Sequence, residues 1–248
     1  MDFEAISFDK YKNMDDVEKQ AYIKGVADAF RYKIMELMPI DGSEIFKFGG
    51  MQPPELVDLG LKSGTLWAAT NIGASTPYEP GLYFAWGDIN GYDKDDNHLF
   101  SQNNYIWYDS NNGYYIKYSK KDGISSLLTE DDAAVVNFGD GWHIPTVIEF
   151  DELIGNTKAN YNLNTNSIIF HNDKGEISFF MGGKIGKTSE GYGEVGMYWS
   201  NQLDKDNSTL DAASCLKFGI KEGAPVIYSD KRAFGFNIRP TYKENGIK

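Results

Sequence analysis

The sequence predicts an α+β fold in which many short strands accompany two short helices, with one longer helical arm ahead of them. Three observations carry this prediction. Apolar runs after residue 54 are short and bounded by turn residues, only residues 14–38 hold a sustained helical periodicity, and two mid-chain stretches open with helix-capping residues. Of the 248 residues, 41% are hydrophobic and 15% aromatic. That is enough apolar material for one sizeable domain with an appendage, or for two small domains.

In the arm, Asn13 and Asp15 are candidate caps, and Asp15, Asp16 and Glu18 suit the positive end of a helix. Ile23, Ala27, Phe30, Ile34 and Leu37 then follow one another at steps of four, three, four and three, which is an a/d seam. The seam runs for about two heptads, too short for a stable free coiled coil. Gly25 weakens it and Pro39 ends it. Two readings stand side by side: a helix packed on its own domain, or an oligomerisation or docking arm for which a trimer is a natural assembly. Residues 39–54, with Gly49, Gly50, Pro53 and Pro54, read as a linker. The chain thus divides into an arm with linker at 1–52 and a domain at 53–248.

Within the domain, strands are expected at 177–181, 196–200, 214–220, 225–229 and 235–240. One helix is expected over AAVVNF, behind the acidic start Thr129-Glu130-Asp131-Asp132. The other follows the capping box from Thr146 to Glu149, with Gly155 placed as a C-cap glycine.

The net charge of −12 makes phosphate backbones and anionic lipid surfaces poor partners. No apolar run approaches the ~20 residues of a membrane span. The first residues hold no basic and then apolar leader, so any extracellular position is expected to be reached by another route. Cys215 is the one cysteine, which excludes an intrachain disulfide and a cysteine metal cluster; its flanks read as a buried strand.

Catalytic and metal patterns are incomplete. MGGKIGKTSEG (181–191) has Met181 where a phosphate loop needs glycine, so it reads as a plain glycine-rich loop. Asp93, Asp95 and Asn97 have the spacing of calcium ligands, but His98 and Asn104 stand where an EF-hand needs Gly and Glu. His98, His143 and His171 form no metal-ligand pair, and no nucleophile elbow or marked carboxylate pair is present. A non-enzymatic protein without cofactors is expected, calcium being the weakly supported exception.

Five segments occur in order: VDLGLKSGTLWAATNIGA (57–74), GLYFAWGD (81–88), DAAVVNFGDGWHIPTVIEFDELI (132–154), GMYWSN (196–201) and RAFGFNIRP (232–240). Together they resemble the Fibrobacter succinogenes major paralogous domain, which is common in Bacteroidetes surface proteins and similar to the C-type lectin fold. The resemblance spans Val57 to Pro240 and implies a C-type-lectin-like domain. Trp67, Trp86, Trp142 and Trp199, each beside small residues, read as its core. Arg239 is expected to satisfy loop carbonyls at the end of the last strand, and His143 to be a structural hydrogen bonder. Formylglycine-generating relatives act through paired cysteines, which a single cysteine excludes. The Glu-Pro-Asn type of calcium-dependent sugar loop has no counterpart at the right place, and Asn201 is not followed by an acidic ligand.

The missing leader and the added arm depart from typical members. Both suit a bacteriophage virion protein. The expected function is therefore a virion surface component (head fibre, decoration or tail) that displays the lectin-like domain toward host or gut glycans or proteins and docks on other virion proteins. The alternative is a bacterial cell-surface domain binding carbohydrate or protein.

The candidate recognition surface is the segment Asp88 to Asp122, where tyrosines lie among Asn, Ser, Gly and Asp, the composition of binding loops. Tyr105, Trp107, Tyr108, Tyr114 and Tyr115 are the candidate ligand residues there. Asn201, Asp204 and Asp206 form a second candidate surface around the polar loop at 203–211. The competing reading packs the loop's aromatics on its own domain or on neighbours in an assembly.

Overall fold

The structure, a computed structural model, describes residues 51–96, 98–204 and 210–244. The seam residues Ile23, Ala27, Phe30, Ile34 and Leu37 lie outside the described residues, as do Asn97 and the candidate ligand residue Asp206.

The described residues form an α+β fold of short antiparallel strands and two short helices. The first strands are β1 (Leu56–Val57), β2 (Leu66–Ala68), β3 (Tyr108–Asp109) and β4 (Tyr114–Tyr115). Helix α1 (Ala133–Phe138), strand β5 (Trp142–His143) and helix α2 (Val147–Asn156) follow. Next come β6 (Lys158–Asn162), β7 (Ser167–His171) and β8 (Glu176–Phe180), then the small hairpin β9 (Lys184–Ile185) and β10 (Ser189–Glu190). The chain continues through β11 (Val195–Leu203), β12 (Ala212–Gly219) and β13 (Gly223–Lys231) to β14 (Thr241–Tyr242). Strands β1, β2, β14 and β5 form one sheet in that order, so the first and last described strands share a sheet.

Both helices start for the reasons the sequence gives. The Asp132 side chain accepts from the N–H groups of Ala134 and Val135 and so caps α1. Thr146 and Glu149 form the complete capping box of α2. Gly155, expected as the C-cap, lies inside α2 instead. The helix runs on to Asn156 and Thr157 is its C-cap, where the Thr157 hydroxyl donates to the Leu153 carbonyl.

The β11–β12–β13 sheet explains why the longest apolar runs look continuous. Met197, Trp199, Ala213 and Cys215 belong to one buried cluster, while Tyr198, Leu216 and Phe218 belong to another. Alternate side chains therefore enter two cores, and a strand buried on both faces loses its polar half. The outer strand β13 alternates between exposed and half-buried residues. In the first core the Trp199 and Phe236 rings stack at 3.9 Å. Trp67, Trp86, Trp142 and Trp199 are all buried, as expected of large indoles set beside small residues.

Two parts of the strand reading change. Residues 235–240 make only isolated bridges, Phe84 with Phe236, Ile185 with Gly235 and Tyr198 with Asn237. Arg239 and Pro240 accordingly precede the last strand rather than end it. The meander β6–β7–β8 gains two strands that the sequence reading leaves out: β6 (KANYN) is polar and mostly exposed, with no apolar alternation to announce it, whereas β7 (SIIFH) is mostly buried.

Candidate functional site

The second half of the tyrosine-rich segment is held at both ends by buried groups. Midway along the segment, the Tyr105 hydroxyl donates to the Trp86 carbonyl at 2.6 Å and the Trp107 indole donates to the Gly87 carbonyl at 3.1 Å. At its far end Tyr118 is buried, its hydroxyl donates to Asp131, and it accepts from the Leu128 N–H at 2.9 Å. Tyr118 adopts a left-handed backbone with φ of 56°. A bulky residue holds that conformation only where its surroundings fix it.

Between these anchors, β3 and β4 form a hairpin in which Tyr108 pairs with Tyr115 and Asp109 with Tyr114. The tip DSNNG folds on Asp109, whose carboxylate accepts from the N–H groups of Asn111 and Asn112 at 3.0 and 3.1 Å, while Gly113 takes a φ of 75°. The Tyr108 and Tyr115 rings meet edge to face at 5.1 Å.

The hairpin lines an open cavity of about 910 Å³ that includes Tyr108, Tyr114, Tyr115, Lys120 and Lys121. An adjoining cavity of about 340 Å³ is lined by Lys184, Lys187, Lys231 and Phe234 among others. Gln102, Tyr115 and Asp211 border both cavities.

Of the candidate ligand residues, the structure brings Tyr108, Tyr114 and Tyr115 to one surface. Tyr114 is 54% exposed, while Tyr105 is 3% exposed and belongs to the core beneath the loop. Burial pushes the Tyr105 phenol well above its ordinary range, so it is a neutral hydrogen-bond donor. Trp107 is half-buried and carries the Lys117 ammonium 4.9 Å from its ring. Asn201 lies on β11, where its carbonyl accepts from the Leu127 N–H and its own N–H donates to Pro145. Neither Asn201 nor Asp204 lines the two cavities. The polar loop contributes Asp211 instead.

Beneath the hairpin is a residue that the sequence reading did not single out. Arg232 is fully buried. Its guanidinium carbon lies 3.4 Å from the Tyr115 ring centroid and 5.4 Å from that of Tyr105. Nη1 donates to the Tyr118 carbonyl at 2.9 Å, whereas Nε and Nη2 have no hydrogen-bond partner among the described residues. Cation–π contacts are worth about 2 kcal/mol when desolvated, but removing a cation from water costs several kcal/mol. Nothing in the local pattern KRAF distinguishes this arginine from a surface one.

MGGKIGKTSEG contains the β9–β10 hairpin. Cys215 is fully buried, and burial pushes its thiol well above the ordinary range. Asp93 and Asp96 accept backbone N–H groups of their own loop. Among the described residues, no group of three or more His, Cys, Asp or Glu is placed to hold a metal ion, and no helix is long and apolar enough to cross a membrane. Comparison with protein-family models, curated proteins and solved structures finds no match.

Proposed function

We propose that residues 53–248 form a C-type-lectin-like adhesion module, similar to the Fibrobacter succinogenes major paralogous domain, that binds saccharide through the β3–β4 hairpin without catalysing a reaction. The observation that carries this reading is the open cavity of about 910 Å³ beside Tyr108, Tyr114 and Tyr115. Sugar rings present C–H faces that pack on aromatic rings, and Tyr does this at low entropic cost. Anchoring both ends of the hairpin in the core, through Tyr105 and Tyr118, reduces the ordering that binding must supply. The α+β architecture and the buried tryptophans agree with the lectin-like reading.

The a/d pattern of the arm at 1–52 favours an assembled setting such as display on a bacteriophage virion, with the arm docked on other virion proteins or on further copies of the chain. Display on a bacterial surface is the alternative setting for the same module.

A glycan array probed with the full chain tests the binding function. Selective retention that falls at least tenfold in Tyr114→Ala supports it. Retention that does not depend on Tyr108 and Tyr114 moves the site elsewhere, and release of free sugar during incubation replaces adhesion with catalysis. Solution mass of the full chain with and without Phe30→Asp tests the seam, since an unchanged assembly state removes its role.

A further inference from the structure

Resting on the adhesion reading above, we propose that the two adjoining cavities select an acidic saccharide, one carrying carboxylate or sulfate groups. The protein as a whole carries a net charge of −12. These cavities reverse that sign locally: Lys120, Lys121, Lys184, Lys187 and Lys231 line them, against the carboxylates of Glu190 and Asp211. Lys184 is partly neutralised, 3.2 Å from Asp230 and 3.6 Å from Glu190. Lys120, Lys121, Lys187 and Lys231 are exposed and have no ion-pair partner among the described residues.

Arg232 adds a second, independent argument. Its cation lies one ring thickness behind Tyr115, which borders both cavities. Two of its donors have no hydrogen-bond partner among the described residues. A charge buried in low-dielectric surroundings is screened less than the surface lysines. A saccharide stacked on Tyr115 would bring its anionic group into that field, with the lysines around it as charged donors. Stacking on Tyr115 needs a sugar ring, which disfavours a simple polyanion that carries none.

The test measures binding of the full chain to four soluble probes: neutral dextran, dextran sulfate, polygalacturonate and polyglutamate. The expected result is binding of dextran sulfate or polygalacturonate at least tenfold tighter than dextran, with polyglutamate weak. The two acidic polysaccharides separate sulfate from carboxylate. Lys120→Gln/Lys121→Gln and Lys187→Gln/Lys231→Gln should each weaken the acidic probe about tenfold at constant melting temperature, while the control pair Lys62→Gln/Lys174→Gln should not. Equal loss in the control pair, or equal binding of polyglutamate, overturns the proposal as unspecific charge attraction. Binding of dextran alone that is lost in Tyr114→Ala overturns the acidic preference but leaves the adhesion reading in place. Failure of every saccharide probe, together with a blank glycan array, removes both.

Discussion

Arg239 donates its Nε to the Asn71 side-chain oxygen at 2.8 Å, and through this contact two buried polar residues gather the carbonyls of several loops. Arg239 also donates to the carbonyls of Ala68, Ala69 and Ser178, while the Asn71 amide donates to those of Glu79 and Pro80. A loop-rich fold leaves many carbonyls without strand or helix partners, and a rigid fork of N–H donors satisfies several at once. Burial pulls the guanidinium down to about 10, so it stays charged at neutral pH. Lysine has one compact ammonium and cannot reach these directions together. Arg239→Lys should therefore destabilise the domain by roughly 3 kcal/mol, the scale of leaving a few buried acceptors unpaired. Thermal melting is the check. A melting temperature within a degree of the parent would show that water replaces the fork without loss.

The His143 and Glu149 pair predicts a pH dependence. Its nitrogen and oxygen lie 2.9 Å apart, and the other ring nitrogen faces the Gly141 carbonyl, so both ring nitrogens point at acceptors. Burial opposes the imidazolium, but the hydrogen bond and charge of Glu149 outweigh it and raise the His143 value above the usual 6.5. Burial also opposes the carboxylate, yet His143 and the Thr146 bonds lower Glu149 below the usual 4.5. A raised histidine stabilises fully below 6.5 and loses its contribution as pH rises through its folded value. A lowered glutamate stabilises above 4.5 and loses its contribution as pH falls through its folded value. The pair thus contributes most between about pH 4.5 and 6.5. His143→Gln keeps a donor but not the charge. Its deficit in melting temperature should be largest near the middle of that window and shrink above the raised histidine value. A deficit that is flat from pH 5 to 9 would leave the ion pair without a role.

Gly196 pairs directly with Phe218 across β11 and β12. A Cβ at Gly196 would lie 2.1 Å from the Phe218 ring, which is itself enclosed by Tyr198, Phe170 and Phe179. The ring has nowhere to move. Gly196→Ala should cost about 1–3 kcal/mol by overpacking, against the gain of about 0.4–1 kcal/mol that unstrained glycine replacement otherwise brings. Because the cause is one contact, adding Phe218→Leu should cost less than the two single losses combined. Strict additivity in a double-mutant cycle would place the cause elsewhere.

These residues also show what was legible in the sequence. Helix starts were legible because Asp132, Thr146 and Glu149 act within three residues of themselves. The β11 and β12 runs and the core tryptophans were legible because burial on both faces leaves a local apolar signature. The end of α2 was not, since Thr157 closes it by bonding to Leu153 and displaces the glycine rule. Residues 235–240 look like a strand but make bridges with three different parts of the chain, which no local pattern encodes. The tyrosine hairpin was legible by composition. The lysines around it and Arg232 were not, because they come from segments over a hundred residues apart in one case and converge only in the fold.

Composition alone gives the tyrosines of the loop one role, whereas their burial divides them in two. Tyr105 lies in the core with Tyr83, Phe100 and Ile185, and its hydroxyl is held by Trp86. Tyr105→Ala removes a buried aromatic and should cost about 3–5 kcal/mol, and Tyr105→Phe about 1 kcal/mol for the hydrogen bond. Tyr114 is 54% exposed at the edge of the cavity, so Tyr114→Ala should change stability by no more than about 0.5 kcal/mol. Thermal melts of the three variants in one buffer decide the matter. If Tyr114→Ala melts as early as Tyr105→Ala, the hairpin is held together by its own aromatics. The loop then belongs to the scaffold rather than to a surface open to ligand. If Tyr105→Ala is lost to unfolding while Tyr114→Ala melts with the parent, the hairpin is a rigid support carrying a replaceable aromatic edge. Saccharide binding by the Tyr114 variant can then be measured on an intact fold.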